Sequence, residues 1–414
     1  MTAPSFRRCR FCGEPLHATL VDLGNTPLAN SYLEREQLTK PEPTFPLHAR
    51  VCDKCRLVQV DDAATPDDIF GHYAYFSSFS TSWVEHARRF ARMAAERWHL
   101  GKDSLVVEVA SNDGYLLRHF LEMGVPVLGV EPAGNVAEAA RKVGVPTEVA
   151  FFGRATATRL KAQGRAADLI VGNNVFAHVP DINDFVAGFA ILLKPDGVLS
   201  LEFPHLLRLI AETQFDTIYH EHFSYLSLFA TEKIMAAHGF KVFDIAELTT
   251  HGGSLRVMAC RADSKAHADG AGLAKVRRDE AAAGIDDDAC YAGFEPKVRA
   301  VREGLIAFLR GAKASGKKVA AYGAAAKGNT LLNYCGIGPE LIDYVVDISP
   351  HKQGRYLPGS RLPIHAPVKL AETKPDYLLI LPWNIKDEIV AQMAHVRGWG
   401  GQFVIAVPKL TVFS

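Results

Sequence analysis

Short apolar runs alternate with helical stretches over most of this 414-residue chain, and this alternation constrains its fold more than any other feature. In the middle of the chain, the apolar runs predict five strands, at 104–110, 125–130, 147–150, 169–172 and 197–202. Helical stretches at 135–142 and 184–193 lie between them. Alternation of this kind predicts parallel strands with helices on both faces of the sheet.

A second alternating block lies near the end of the chain. Its predicted strands are at 317–322, 341–347, 377–381 and 402–407. The segment 262–316, which separates the two blocks, is rich in alanine and charged residues. Its end places four apolar residues on one helical face: Val298, Val301, Leu305 and Phe308. Because a domain has about 150 residues, the length predicts two to three domains, and the pattern predicts an α/β class with two Rossmann-like units.

Four of the seven cysteines form two C-x-x-C pairs, Cys9 with Cys12 and Cys52 with Cys55. In a reducing compartment, such pairs indicate a metal site rather than disulfides. Four thiolates around one ion make the closed tetrahedral site of structural zinc, which has no open position for catalysis. A redox dithiol is the alternative, although it needs only one pair. The gap of 39 residues between the pairs is longer than the usual spacing of about 15–20 residues.

Composition narrows the range of partners. The chain has 46 basic and 46 acidic residues and no formal net charge, so no global charge favours nucleic acid or an anionic membrane. Residues 1–15 lack the apolar stretch of a secretory signal. The apolar run at 377–383 is far shorter than the roughly 18 residues that a membrane span requires. We therefore expect a cytoplasmic protein that binds neither nucleic acid nor a membrane.

The first motif with chemical content is Val106-Val-Glu-Val-Ala-Ser-Asn-Asp-Gly114. A strand that ends in a small polar turn and opens a helix places a ligand at the carboxyl edge of the sheet. Glu131 ends the next strand, 17 residues beyond Gly114, where a carboxylate can accept hydrogen bonds from two ribose hydroxyls. Because G-x-G-x-x-G is absent, a nucleoside without phosphate fits better than a dinucleotide. An ordinary α/β turn is the alternative.

Two groups of polar residues follow later strands. Asn173 and His178 lie in the loop after the fourth strand, where Asn173 can contact a cofactor and His178 a substrate, unless His178 is a structural histidine. Tyr219-His-Glu-His222 puts four ionisable side chains in succession, which a core would not accommodate easily. The i, i+4 spacing of helical metal ligands is absent there, so acid–base chemistry fits better than a metal site.

Two glycine-containing motifs complete the pattern. His251-Gly-Gly-Ser-Leu-Arg256 allows close approach of the backbone to a ligand or to a neighbouring strand, and a tight turn explains it equally well. Tyr322-Gly-Ala-Ala-Ala-Lys327-Gly-Asn-Thr330 follows a strand and opens a helix. Its backbone N–H groups and its lysine predict an anion site for a phosphate or pyrophosphate, with Asp347 beside it.

The order of these motifs resembles the sugar C-methyltransferases, which use S-adenosylmethionine to methylate nucleotide-linked ketosugars at carbon 3. The resemblance covers essentially the whole chain, although Ala110 stands where this class of cofactor domain commonly has glycine. It implies an N-terminal zinc-binding module (1–66), a central Rossmann-like methyltransferase domain (67–260) and a C-terminal Rossmann-like α/β domain that binds the nucleotide-sugar (261–414). It also implies structural zinc, S-adenosylmethionine and a monomer.

The resemblance assigns a role to each matching residue. His222 is the general base that removes the proton from the carbon beside the keto group. The other catalytic positions are Tyr219, Glu221, His178 and Tyr73. The S-adenosylmethionine positions are Glu108, Asn112, Gly114, Glu131 and Asn173. The nucleotide-sugar positions are Lys327, Asn329 and Thr330, and the zinc ligands are Cys9, Cys12, Cys52 and Cys55.

The implied reaction is methylation of a dTDP-linked 4-keto-deoxysugar at the carbon next to the ketone, through an enolate, in deoxysugar or antibiotic biosynthesis. An O-methyltransferase acting on a sugar or small molecule is the first alternative. A nicotinamide-dependent enzyme with Asp347 on the ribose is the second, but the missing third glycine and the position of Lys327 disfavour it. A zinc-ribbon protein that binds nucleic acid is disfavoured by the balanced charge.

Overall fold

The structure is a computed structural model, and it describes residues 7–62 and 76–414. The strands are β1 (Ala18–Thr26), β2 (Phe45–Val51), β3 (Val58–Gln59), β4 (Val106–Val109), β5 (Val127–Val130), β6 (Thr147–Glu148), β7 (Ala167–Asn173), β8 (Leu193–Pro204), β9 (Ser224–Tyr225), β10 (Phe240–Leu248), β11 (Ser254–Arg261), β12 (Val319–Tyr322), β13 (Val345–Val346), β14 (Ile364–His365), β15 (Tyr377–Ile380), β16 (Gln402–Ile405) and β17 (Thr411–Phe413).

The helices are α1 (Thr81–Arg97), α2 (Leu117–Glu122), α3 (Gly134–Lys142), α4 (Arg154–Ala162), α5 (Ile182–Leu192), α6 (Leu206–Ala211), α7 (Leu228–Ala237), α8 (Ala271–Ala282), α9 (Asp288–Ala292), α10 (Phe294–Ala314), α11 (Ala326–Cys335), α12 (Lys369–Thr373) and α13 (Lys386–Gln392). Short 3-10 helices span Arg35–Gln37, Ser77–Phe79, Phe176–His178, Phe215–Thr217, Thr250–Gly252, Trp383–Ile385 and Ala394–Trp399.

The N-terminal sheet is antiparallel and has the order β1-β2-β3-β9. β1 and β2 lie in the long insertion between the two cysteine pairs, and their antiparallel pairing brings the two pairs close to each other. β9 comes from the middle of the chain, where Tyr225 pairs with Val58. The small sheet is therefore joined directly to the segment that follows Tyr219-His-Glu-His222.

The central sheet has seven strands in the order β10-β11-β8-β7-β4-β5-β6. β4 to β8 are mutually parallel, so the predicted parallel sheet is confirmed, and β11 lies antiparallel between β8 and β10. The sequence did not predict β10. This strand lies at the sheet edge and interleaves polar residues such as Lys241, Asp244 and Glu247 with buried ones, so it has no continuous apolar run.

The C-terminal sheet has the order β14-β13-β12-β15-β16-β17, which is the order 3-2-1-4-5-6 of a dinucleotide-binding fold. The first five strands in this order are parallel and β17 is antiparallel. The expected second Rossmann-like unit is thus confirmed. β14 and β17 were not predicted, because β14 pairs a buried isoleucine with a histidine and β17 is largely exposed, so neither forms an apolar run.

Alternating residues of the central strands fill two different cores. Val106 and Val127 point to one face of the sheet, and Val107 and Leu128 point to the other. α8 packs on β10 at the edge of this sheet. Among the residues that the structure describes, no helix has both the length and the apolar character needed to cross a membrane.

The N-terminal sheet and the C-terminal unit share one continuous core. Leu20 of β1 and Leu47 of β2 belong to the same buried cluster as Leu305 of α10 and Leu331 of α11. α10 and α11 both pack on β1. The first and last parts of the chain therefore pack together, and the candidate catalytic segment at 215–222 packs against α11.

Candidate active site and metal centre

The four paired cysteines converge on one point. Their sulfur atoms all lie within 4.8 Å of one another, and the Sγ atoms of Cys9 and Cys55, and of Cys12 and Cys52, are 3.5 Å apart. Tetrahedral zinc with Zn–S bonds of about 2.3 Å separates its sulfurs by about 3.8 Å. Gln59 Nε2 also donates a hydrogen bond to Cys9 Sγ over 3.3 Å. The donor set and the spacing fit zinc in a closed structural site.

The turn after β4 has an unusual backbone. Ala110, Asn112 and Gly114 all have positive φ angles, of 55°, 50° and 77°. A Cβ on Gly114 would also lie 2.9 Å from Val145 Cγ2, so both the backbone and the packing call for glycine there. At Ala110 the left-handed conformation costs about 1 kcal/mol relative to glycine. This turn is a rigid, preformed corner at the carboxyl edge of the sheet.

Glu131, which follows the neighbouring strand β5, is hydrogen-bonded to this turn. Its Oε2 accepts a hydrogen bond from Asn112 N, and its Oε1 accepts one from Ala133 N, each over 2.9 Å. Burial raises the pKa of Glu131, and these two N–H groups oppose that shift. Because a carboxylate can accept about four hydrogen bonds, two positions are left for the hydroxyls of a ligand.

Glu108, Tyr115 and Asn173 lie together at the floor of the same corner. Asn173 Nδ2 donates to Tyr115 Oη over 3.4 Å, and both side chains are buried. Burial raises the pKa of Glu108 well above its ordinary value, although a hydrogen bond with Tyr115 opposes the shift. The side chain of Asn112 contacts Ser77 N over 2.8 Å and so attaches the segment before α1 to the turn.

His222 is held in one tautomer by its own segment. Its Nδ1 lies 2.9 Å from the carbonyl oxygen of Thr217, which can only accept, so Nδ1 carries the proton. Its Nε2 lies 2.8 Å from Tyr219 Oη and is the acceptor in that hydrogen bond. The adjacent cavity is lined largely by apolar residues such as Ala177 and Phe203. Burial lowers the pKa of His222 well below its usual range, so the imidazole is a neutral base at pH 7.

His178 contacts His222 from the central domain. The two imidazole rings meet edge to face, with centroids 4.6 Å apart. Burial lowers the pKa of His178 to about 4, so this ring is also neutral. The structure thus brings together two of the histidines that the sequence singled out. Tyr73 lies outside the described residues.

Glu221 points toward the N-terminal module. Its Oε1 accepts a hydrogen bond from Asn30 Nδ2 over 2.7 Å, and burial raises its pKa. His220 turns in another direction, where its Nε2 lies 3.2 Å from Pro46 O. His220, Glu221 and His222 therefore do not converge, and within the described ranges only the four-cysteine group has the geometry of a metal site. Asn30 gave no signal in the sequence.

The three positions in the C-terminal motif differ in their surroundings. Lys327 is partly exposed, and its Nζ donates to Asn384 Oδ1 over 2.6 Å. Asn329 and Thr330 are buried: Asn329 Nδ2 donates to Ala29 O over 2.6 Å, and Thr330 Oγ1 donates to Ile218 O over 2.9 Å. These two side chains attach α11 to the N-terminal module and to the candidate catalytic segment.

Asp347 occupies the place in the C-terminal sheet that Glu131 occupies in the central sheet. It accepts hydrogen bonds from Ala324 N and Ser349 N, each over 2.8 Å. Here, however, Tyr32 Oη of the N-terminal module donates to Ala324 O over 2.6 Å, and Lys352 Nζ donates to the same oxygen over 2.8 Å. These two side chains cover the turn, which disfavours the nicotinamide interpretation.

Comparison with known proteins shows what each part of the chain is similar to. Family models match a zinc binding domain over residues 9–70, a methyltransferase domain over 81–245 and a C-methyltransferase C-terminal domain over 249–408. The C-methyltransferase NovU of Streptomyces niveus is 38% identical over 406 residues, which are 98% of this chain and 96% of NovU. A ubiquinone biosynthesis O-methyltransferase of Bartonella bacilliformis is 27% identical over 95 residues, 23% of this chain and 38% of the relative.

Among solved structures, magnesium protoporphyrin IX methyltransferase from Synechocystis PCC 6803 with bound S-adenosylmethionine aligns with 44% of this chain and 78% of its own. The sequence identity is 16% and the TM-score is 0.33. More than half of this chain is left unmatched, including regions that NovU shares. Because the match to NovU extends over nearly the full length of both proteins, this chain belongs to the family of S-adenosylmethionine-dependent C-methyltransferases.

Proposed function

We propose that this enzyme methylates a nucleotide-linked, dTDP-bound 4-keto-deoxysugar at the carbon next to the keto group. The observation that carries this proposal is the fixed tautomer of His222. Its Nδ1–H is committed to Thr217 O, so Nε2 is the basic nitrogen, and its lone pair accepts a hydrogen bond from Tyr219 Oη. A carbon next to a ketone becomes a nucleophile only after it loses a proton, and a neutral imidazole can remove that proton.

The other site residues support the same step. Tyr219 is hydrogen-bonded to Nε2 of His222, and its hydroxyl is therefore placed to donate to a substrate atom that replaces this contact. When bound, S-adenosylmethionine supplies an electrophilic methyl group on a positively charged sulfur. Glu131 and the corner formed by Asn112 and Gly114 would hold its nucleoside, and Glu108 and Asn173 would line the floor below.

Each of the three parts of the chain would bind a different ligand. We assign zinc to 1–66, S-adenosylmethionine to 67–260 and the nucleotide-sugar to 261–414. Catalysis itself would combine all three, because Asn30 of the first part contacts Glu221, and Thr330 of the third part contacts Ile218. We further propose that the enzyme is a cytoplasmic monomer in deoxysugar or antibiotic biosynthesis that binds neither nucleic acid nor a membrane.

The chemical class of the acceptor can be tested with two sugars. The enzyme is incubated with S-adenosylmethionine and either a dTDP-4-keto-deoxysugar or the same sugar reduced to its 4-hydroxy form. We expect a mass increase of one methyl group for the ketosugar alone, because the reduced sugar has no acidic C–H. Methylation of the hydroxy form instead would show an O-methyltransferase.

The proposed ribose contact predicts a loss of cofactor affinity in Glu131→Gln. A hydrogen bond to a charged group contributes about 1.5–3 kcal/mol, so the dissociation constant should rise about 10-fold to 100-fold. Isothermal titration calorimetry with S-adenosylmethionine measures it. Glu138→Gln is the matched control, because Glu138 lies exposed on the next helix and pairs with Lys142. Equal affinities in the two variants would reject the assigned contact.

A further inference from the structure

Lys327 lies on the face of α11 that packs against the catalytic segment. It is in the first turn of this helix, and Thr330, three residues later, shares its face. Thr330 Oγ1 donates to Ile218 O, immediately before Tyr219. The helix face that bears Lys327 is therefore in direct contact with the residues that hold the proposed base.

A chain of contacts connects Lys327 to His222. The Lys327 Nζ lies 4.9 Å from the centroid of the Trp383 ring, and Trp383 Nε1 donates to Asp216 Oδ2 over 2.7 Å. Asp216 immediately precedes Thr217, whose carbonyl oxygen accepts the Nδ1 proton of His222. The C-terminal unit thus places a lysine and a tryptophan beside the segment that precedes His222.

The loop before β11 packs against Trp383. Gly252 lies so close to Trp383 that a Cβ there would be 2.5 Å from Trp383 Cη2, which explains the glycine in the His251-Gly-Gly motif. Gln214 Nε2 donates to Gly252 O over 2.7 Å on the other side. Lys327, Trp383 and His251 therefore belong to one junction between the central and C-terminal units.

The charges at this junction influence one another. The ionisable groups that face His222 are His178, His251 and Lys327 on neighbouring elements, with Tyr219 and Tyr225 on its own segment. Burial lowers the pKa of His222 first, and the positive charge of Lys327 lowers it further.

Asp216 also interacts electrostatically with Lys327. Burial raises the pKa of Asp216 to about 6, and the charge of Lys327 opposes that rise. Burial also lowers the pKa of Lys327, and Asp216 in turn opposes this shift and favours the ammonium form. The charge of Lys327 therefore acts on both Asp216 and His222.

We propose that Lys327 is a catalytic residue that donates a hydrogen bond to the keto oxygen while His222 removes the adjacent proton. This inference rests on the proposed function. It places the lysine at the keto group of the substrate rather than only at the phosphates. The C–H bond breaks and an N–H bond forms at His222 Nε2. The C–H electron pair becomes the carbon–carbon π bond, and the carbonyl π pair moves to oxygen, where the ammonium group stabilises the negative charge.

The test measures proton removal separately from methyl transfer. The ketosugar is incubated in D₂O with the enzyme and S-adenosylhomocysteine, and exchange at the carbon next to the ketone is followed by NMR. We expect Lys327→Met to slow both this exchange and kcat by about 10²-fold to 10³-fold, because one oxyanion donor contributes that much. KM should stay within about threefold, as for an interaction made mainly in the transition state.

The pH profile gives a second readout that a structural role would not move. Loss of the positive charge raises the pKa of His222, so the acidic limb of kcat/KM should move to higher pH in Lys327→Met and in Lys327→Gln. Lys327→Arg keeps the charge and should retain the wild-type limb. Lys386→Met, which removes a partly exposed lysine paired with Asp387, is the matched control and should behave like wild type.

The outcomes separate this inference from the proposed function. If Lys327→Met and Lys327→Gln each exchanged the proton as fast as the wild-type enzyme while KM for the ketosugar rose more than about 10-fold, Lys327 would only anchor the phosphates. That result would overturn the inference. An unshifted acidic limb in Lys327→Gln would overturn it even if Lys327→Met folded poorly. If the wild-type enzyme neither exchanged nor methylated a 4-ketosugar, the proposed function would fail and this inference with it.

Discussion

Replacing His222 with asparagine is expected to lower the rate of methyl transfer by about 10²-fold to 10⁴-fold, the usual contribution of a positioned general base. Asparagine can preserve polar contacts near Thr217 O and Tyr219 Oη, but its amide cannot accept the proton at neutral pH. S-adenosylmethionine affinity should stay unchanged, because the corner at Asn112 and Glu131 is formed by other elements. Turnover and calorimetry measure the two quantities.

The pH dependence of wild-type activity tests the same role of His222. The base must be neutral, and burial places the pKa of His222 well below 6.5, so activity should persist below that pH and fall only in more acidic solution. His395→Asn is the matched control, since His395 is an exposed histidine next to Trp399. An equal loss of turnover and cofactor affinity in His222→Asn would contradict the assigned role.

Replacing Cys52 with serine is expected to lower both zinc content and folding yield. Structural zinc contributes about 10 kcal/mol or more to folding, which is comparable to the whole stability of a typical domain. The loss should also reach the active site, because β3 pairs with β9 and Asn30 contacts Glu221. Metal analysis and thermal unfolding measure the effect.

Cys290→Ser provides the comparison for this variant. Cys290 is a partly buried cysteine of α9 that lies outside the four-sulfur cluster, so its replacement should leave zinc content unchanged. Normal zinc content and normal thermal unfolding in Cys52→Ser would reject the four-cysteine site.

The sequence predicted those features that arise from local patterns. Apolar runs predicted the parallel strands because both faces of each strand are buried, as in β4 and β5. The C-x-x-C pairs predicted the zinc site because each pair forms its own tight turn. The long gap between the pairs obscured the match, and the β1–β2 hairpin explains how that gap is bridged.

Contacts between distant parts of the chain could not be predicted in the same way. Asn329 contacts Ala29, and Trp383 contacts Asp216, across separations of 300 and 167 residues. No local spacing encodes such pairs. The sequence therefore predicted a ligand site at the C-terminal motif without showing that Asn329 attaches α11 to the N-terminal module, or that Lys327 lies over the ring of Trp383.

The most direct test of C-methylation uses S-adenosylmethionine labelled with ¹³C in its methyl group and a dTDP-4-keto-deoxysugar. NMR of the isolated product shows which atom carries the label. We expect a ¹³C methyl group bonded to the ring carbon next to the ketone, with the proton of that carbon lost. A labelled methoxy group, with that ring proton retained, would contradict it.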